Sequence, residues 1–194
     1  MKKLLDRIKL CMLPPPQRRS LPYECYWEDS ILSQEQERIF SNQWLGLGRS
    51  DRLQNPGEYE TFELCGQALV LIRNQDKELR LYANTCRHRG AKLLDGTGQC
   101  QAISCPFHGW TYSLDGNLKH AKTMAENSSF DFADNSLIEY KLKELQGFLF
   151  GFLGNTPTDL SNQLGNFSEL HQPWSMNELV TTRRATFEVQ CNWK

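Results

Sequence analysis

Two short groups of cysteine and histidine constrain this chain more than anything else in it. Cys86-Arg87-His88 comes first, and Cys105-Pro106-Phe107-His108 follows with sixteen residues between His88 and Cys105. Each group offers one thiolate and one imidazole. Cys86 and His88 are two apart, so both can lean to one side of an extended or turning segment. Cys105 and His108 are three apart, with Pro106 fixing one backbone angle and Gly109 free to take a positive one. Two such loops facing each other make a four-ligand cage closed from two sides. Mixed two-cysteine, two-histidine ligation suits two species: zinc, or a [2Fe-2S] centre with both histidines on one iron.

With 194 residues the chain is long enough for one domain, or for one domain and part of another. A net charge of −1 favours neither a nucleic-acid partner nor an acidic substrate. That balance hides a basic start. Lys2, Lys3, Arg7, Lys9, Arg18 and Arg19 stand against Asp6 alone in the first twenty residues. Asp6, Arg7 and Lys9 interrupt Leu4, Leu5 and Ile8, so no export-signal core forms. The longest apolar run, Gly147–Gly154, falls far short of the ~20 residues a membrane span needs. Leu4, Leu5, Ile8, Cys11 and Met12 share one helical face that could dock a partner or a lipid surface, although a frayed terminus is the plainer expectation. Beyond the two groups, Cys11, Cys25, Cys65, Cys100 and Cys191 show no disulfide-framework spacing, which points to buried free thiols in a reducing, cytoplasmic setting.

Along the chain, Pro14-Pro15-Pro16 ends the arm, and Leu21–Trp27 reads as an apolar segment lying against a surface. Ser33 with Gln36 is a capping-box pattern, and it predicts a helix near 34–43. Strands are expected over Glu58–Leu64, Ala68–Arg73 and Leu79–Ala83, with turns at Gly66-Gln67 and Asn74–Lys77. The third strand delivers Cys86, and Ala102–Ser104 leads into Cys105. Trp110–Ser113 turns at Asp115-Gly116. Residues 119–136 lack a period and predict a long surface loop, after which Leu137–Leu142 and Phe148–Leu153 close the sheet. Pro157–Leu179 reads as a linker, and Thr181–Gln190 as a new strand.

The wording around the ligands goes further than their spacing. Asn84-Thr85-Cys86-Arg87-His88-Arg89-Gly90-Ala91 and Cys105-Pro106-Phe107-His108-Gly109-Trp110-Thr111-Tyr112 resemble the two cluster-binding boxes of Rieske proteins. They are most similar to those of the alpha subunits of Rieske non-haem iron oxygenases. Respiratory Rieske proteins carry an extra cysteine in each box, and those places are held here by Ala91 and Phe107. The resemblance implies a mostly β, antiparallel Rieske-type domain with a small cluster-binding subdomain, preceded by an N-terminal arm and short helix. It divides the chain into an arm and helix over 1–43, a Rieske [2Fe-2S] domain over 44–155, and a linker with the first strand of a truncated catalytic domain over 156–194. It makes Cys86, His88, Cys105 and His108 the ligands of a [2Fe-2S] cluster, with the cysteines on one iron and the histidines on the other.

The implied role is electron transfer from a reductase or ferredoxin to a mononuclear iron that activates oxygen for hydroxylation. In this family that iron sits in the catalytic domain, on two histidines and a carboxylate, and ring-shaped trimers bring it to the cluster of a neighbouring alpha subunit. Only His120 and His171 remain beyond the boxes, so no catalytic residue is assigned and the chain alone is expected not to hydroxylate. Two other readings stand beside this one, a free-standing Rieske electron carrier and a structural zinc module. Aromatic acids, hydrocarbons and quaternary amines all remain open as substrates. Trp110 stands where respiratory relatives have a serine hydroxyl, which points to the low end of the Rieske potential range. Arg87, Arg89 and Lys92 form either a docking rim or a solvated loop, while Trp110 and Tyr112 either shield the cluster or belong to an ordinary core.

Overall fold

The computed structural model describes residues 2–122, 124 and 129–194, which divide into two compact units. Residues 40–183 form the larger unit, and residues 1–39 with 184–194 form the smaller.

The larger unit is built from ten antiparallel strands. These are β1 (Leu45–Arg49), β2 (Glu58–Leu64), β3 (Gln67–Arg73), β4 (Leu79–Ala83), β5 (Thr97–Gln99), β6 (Ile103–Ser104), β7 (Thr111–Tyr112), β8 (Leu118–His120), β9 (Glu139–Leu145) and β10 (Phe148–Phe152). Seven make one sheet in the order β1-β10-β9-β4-β3-β2-β5, and β6-β7-β8 make a second, smaller one. The interior strand β3 is apolar from Ala68 to Ile72 because it is covered on both faces. Leu69 and Leu71 point to a core with Leu53, Leu81 and Leu149. Val70 and Ile72 point the other way, to a core shared with Tyr82 and the small sheet, in which Cys86, Cys105, Trp110 and Tyr112 are also buried. Period-two alternation thus gives one strand two jobs. It holds the large sheet together, and it seats the small one.

The small sheet is fastened at its far turn. Asn74, buried in the β3–β4 turn, donates from Nδ2 to Asp115 of the β7–β8 turn at 2.9 Å. Gly116 beside it has φ +77, and a Cβ there would lie 2.8 Å from the Tyr82 ring. Only glycine allows both the left-handed turn and so close an approach.

Several expectations give way. The first hairpin turns at Cys65-Gly66 (φ 53 and 74) rather than at Gly66-Gln67, because β3 already pairs from Gln67. The glycine-rich stretches at β1 and β5 pair as edge strands although their sequence resembles loop. The predicted surface loop over 119–136 begins inside β8. Ala121 is buried, and Met124, Phe130 and Phe132 pack on the cysteine-bearing core; positions 123 and 125–128 lie outside the described residues. The predicted linker over 157–179 carries two short helices, α4 (Leu160–Leu164) and α5 (Phe167–His171). They are held because Leu160 is buried with Trp44, Phe150 and Phe152, while the Gln163 side chain pairs with both backbone groups of Trp44 at 2.8 Å. No strand forms over Thr181–Gln190. The segment joins no sheet among the described residues, and Phe187 and Val189 are exposed.

In the smaller unit the arm is helical: α1 (Lys2–Lys9), α2 (Glu24–Trp27) and α3 (Asp29–Arg38). The predicted helix over 34–43 starts five residues earlier, with Glu28 at its N-cap. Ser33 does not cap it; its hydroxyl bonds back to the Asp29 carbonyl at 2.9 Å. Leu21–Trp27 is partly the helix α2, with Cys25 buried and Trp27 exposed. Glu35 receives Lys194 Nζ at 2.8 Å and Trp193 Nε1 at 2.9 Å, so the Asn192-Trp193-Lys194 segment folds with these helices.

Replacing a fully buried β3 residue separates the two cores. Leu71→Ala should lose about 2–5 kcal/mol of stability and lower the urea midpoint clearly. Because Leu71 faces away from Cys86 and Cys105, the visible spectrum of the loaded protein should not change.

Candidate metal centre

Two loops of similar construction face the small-sheet core. In the first, Cys86 N–H donates to the Ala91 carbonyl at 2.8 Å and Gly90 N–H donates to the Cys86 carbonyl at 3.0 Å. In the second, Cys105 N–H donates to the Trp110 carbonyl at 2.7 Å and Gly109 N–H to the Cys105 carbonyl at 3.1 Å. Each loop therefore closes between its cysteine and the fifth residue on. Each needs a left-handed residue four places after the cysteine, and glycine supplies it with φ 75 at Gly90 and 70 at Gly109. A Thr85–Lys92 bridge narrows the first loop at its base. Buried Asn84 pins the returning strand by bonding both Leu94 N–H (2.9 Å) and Leu94 C=O (2.8 Å).

This geometry sorts the four candidate ligands by depth. Cys86 and Cys105 are 3% and 4% exposed and belong to the core, while His88 is half-buried and His108 is exposed. The imidazoles meet edge to face with centroids 4.7 Å apart, so the two loops bring their histidines together at the tip. His88 Nδ1 is buried and has no hydrogen-bond partner. Burial, then the neighbouring His108 and Arg89, holds the His88 imidazole below its ordinary pKa. A neutral ring with a buried, unused lone pair is what a metal ligand requires. A two-iron centre needs two thiolates at one end and two imidazoles at the other, and the depth ordering suits it.

Tyr112 is the contributor that sequence reasoning did not single out for its hydroxyl. Its oxygen accepts from Arg87 N–H at 3.0 Å and lies 3.4 Å from Cys86 Sγ. Burial and the bond to Cys86 push this phenol well above its usual range, so it keeps its proton. With the sulfur ionised, the hydroxyl is the donor. A tyrosine two residues after the Gly-Trp pair was visible in the sequence, but nothing local says that it crosses to the other loop. Trp110, 2% exposed, lies flat on His88 with centroids 4.9 Å apart and an interplanar angle of 10°.

At the rim, Arg87 and Arg89 are exposed, Lys92 is engaged by Asp95, and Phe107 presents a largely exposed ring beside His108. The remaining histidines are elsewhere. His120 closes β8, and His171 closes α5 with Nδ1 2.7 Å from the Phe167 carbonyl. No described helix is long and apolar enough to cross a membrane.

The family model described as Rieske [2Fe-2S] domain matches residues 43–141. The chain belongs to the Rieske [2Fe-2S] domain family. As such it is the kind of domain that binds a [2Fe-2S] cluster. Among curated relatives, the carnitine monooxygenase oxygenase subunit of Escherichia coli (strain K12) is 33% identical over 183 residues, covering 93% of this chain and 49% of that protein. The carnitine monooxygenase oxygenase subunit of Acinetobacter baumannii is 35% identical over 178 residues, 90% of this chain and 48% of that protein. The crystal structure of the quaternary ammonium Rieske monooxygenase CntA with L-carnitine superposes with a TM-score of 0.82 at 34% identity, covering 89% of this chain and 50% of that one. The chain thus spans about half the length of the curated relatives it matches.

The loop geometry carries its own test. A Cβ at Gly109 would meet no heavy atom within 4 Å, so Gly109→Ala is penalised by its backbone alone. It should cost about 1–2 kcal/mol, read as a lowered denaturation midpoint with little change in overall secondary structure by circular dichroism.

Proposed function

We propose that Cys86, His88, Cys105 and His108 ligate the cluster, with both thiolates on one iron and both imidazoles on the other. The observation that carries this is the convergence of two like-built loops that bury the thiols and pair the imidazoles. When bound, such a centre takes up single electrons at about −150 to +300 mV, compared with roughly −400 mV for all-cysteine ferredoxins. The chain's own residues do the rest. The core around Cys86 and Cys105 keeps water from the sulfurs, and the exposed His108 edge leaves a short path to a partner. Tyr112 supplies a sulfur-directed donor that Trp110 does not, which moves the expected potential up from the bottom of that range.

On this reading the chain is the electron-transfer part of the oxygenase subunit of a Rieske-type oxygenase. It takes electrons from a reductase or ferredoxin and passes them to a mononuclear iron held by two histidines and a carboxylate. That iron would lie in the part of such subunits that these residues do not span. Likeness to oxygenase subunits over nearly the whole chain favours this over a free-standing carrier. Arg87, Arg89 and Phe107 form a basic, partly apolar face suited to an acidic partner surface, whether of the reductase or of a neighbouring subunit. The relatives' quaternary ammonium substrates make that class our choice for the full-length protein. Seven free cysteines, several exposed or half-exposed, fit a reducing, cytoplasmic setting.

Anaerobically purified protein should hold about two irons and two acid-labile sulfides per chain. Alanine at any of the four positions should bleach it, while Cys100→Ser should stay coloured. Zinc without sulfide would refute the assignment. Separately, Tyr112→Phe should lower the reduction potential. A hydrogen bond to sulfur stabilises the electron-rich reduced state more than the oxidised one, and losing about 1 kcal/mol of that difference is a fall of roughly 40 mV for one electron. Protein-film voltammetry reads this directly, and an unchanged or higher potential would show that the hydroxyl does not donate to sulfur.

A further inference from the structure

We propose that Trp110 is the positioning residue for His88. Its indole fixes the plane of the imidazole by stacking on it. The inference rests on the reading of His88 as a ligand.

A metal-binding histidine almost always donates its second ring N–H to a carboxylate, a backbone carbonyl or water, and that bond sets both tautomer and ring plane. A flat side chain lying on the face of the ring can restrain the same plane. Rotation of an imidazole about its last side-chain torsion is broad unless something restrains it. What restrains this one is aromatic. Trp110 covers one face at 4.9 Å and 10°, and His108 meets the ring edge-on at 4.7 Å and 68°.

Trp110 is well placed for the task because it is itself immobile. It is buried in the core between the sheets, and Phe130 packs against it edge to face at 5.6 Å and 76°. Its backbone carbonyl closes the second loop by accepting Cys105 N–H. The brace also runs between loops, from the second to the first. Together with the Tyr112 hydroxyl on Arg87 N–H, it sets the first loop against the second by contacts independent of the metal.

The test compares Trp110→Phe, which keeps a flat ring and removes the N–H, with Trp110→Leu, which keeps apolar bulk and removes the plane. Both are loaded with iron and sulfide, reduced with dithionite, and studied by pulsed EPR for the nitrogen hyperfine couplings of the two imidazoles. Trp110→Phe should keep both couplings as in the original protein. Trp110→Leu should broaden the coupling of one imidazole, leave the other sharp, and release iron to a chelator about tenfold faster or more. Two sharp, unshifted couplings with unchanged iron release in Trp110→Leu would overturn the proposal. So would a Trp110→Phe protein as perturbed as Trp110→Leu, since the N–H rather than the ring plane would then matter. If circular dichroism shows Trp110→Leu unfolded, Trp110→Met takes its place with the same two outcomes. Failure of the ligand reading looks different, because the original protein would then show no pair of nitrogen couplings at all.

Discussion

Burying two thiols while keeping two imidazoles near the surface is the constraint on which this structure turns. Cys86 and Cys105 belong to the same apolar core as Val70, Ile72 and Tyr82 of the large sheet. An isolated thiolate in such a place would be costly. The core is therefore suited to a charged sulfur only if a metal and directed hydrogen bonds compensate it. The Tyr112 hydroxyl beside Cys86 Sγ fits that need, and glycine at the fourth place after each cysteine lets the loop close around it. The loops look alike because both solve one problem, returning the chain within six residues while sinking its first side chain.

The large sheet matters to the site chiefly through β3 and β4. A strand buried on both faces can support two separate cores, and here one core is structural while the other carries the cysteines. Asn74, Asp115, Gly116 and Tyr82 fix the far end of the small sheet against this support. The loops at its near end are then held relative to each other by the sheets rather than by their own short sequences. Placement of a rigid tip on a packed base is how a short-range electron carrier keeps its donor and acceptor distances constant.

Most of the site is legible in the amino-acid sequence because its constraints are local. Cysteine, histidine, proline and glycine at fixed offsets leave few conformations open, and the resemblance to Rieske boxes rests on those same residues. The strands Glu58–Leu64 and Leu79–Ala83 are legible for a similar reason, since alternation and turn residues act over a few positions. What cannot be read locally depends on contacts far along the chain. The polar run Pro157–Leu179 becomes helical because Gln163 and Leu160 meet Trp44, 119 and 116 positions earlier. Ser33 carries a capping pattern, yet the helix it lies in starts at Asp29. Thr181–Gln190 has strand composition but finds no edge to pair with, and β-propensity without a partner does not make a strand.

Trp110 and Tyr112 belong to the core and touch His88 and Cys86 at the same time. Both are packed as tightly as any residue in the protein, and a mutational survey of stability alone would class them as core. Their burial is also what gives the remaining polar edge its effect. A phenol in water would share its proton with solvent. Tyr112, shut away from water, has Cys86 Sγ and Arg87 N–H as its partners. An indole on the surface would slide over an imidazole, whereas Trp110, wedged against Phe130, holds one orientation. Close packing removes the alternatives to a single contact, and that is how an apolar core can act on a metal centre whose ligands it does not itself provide.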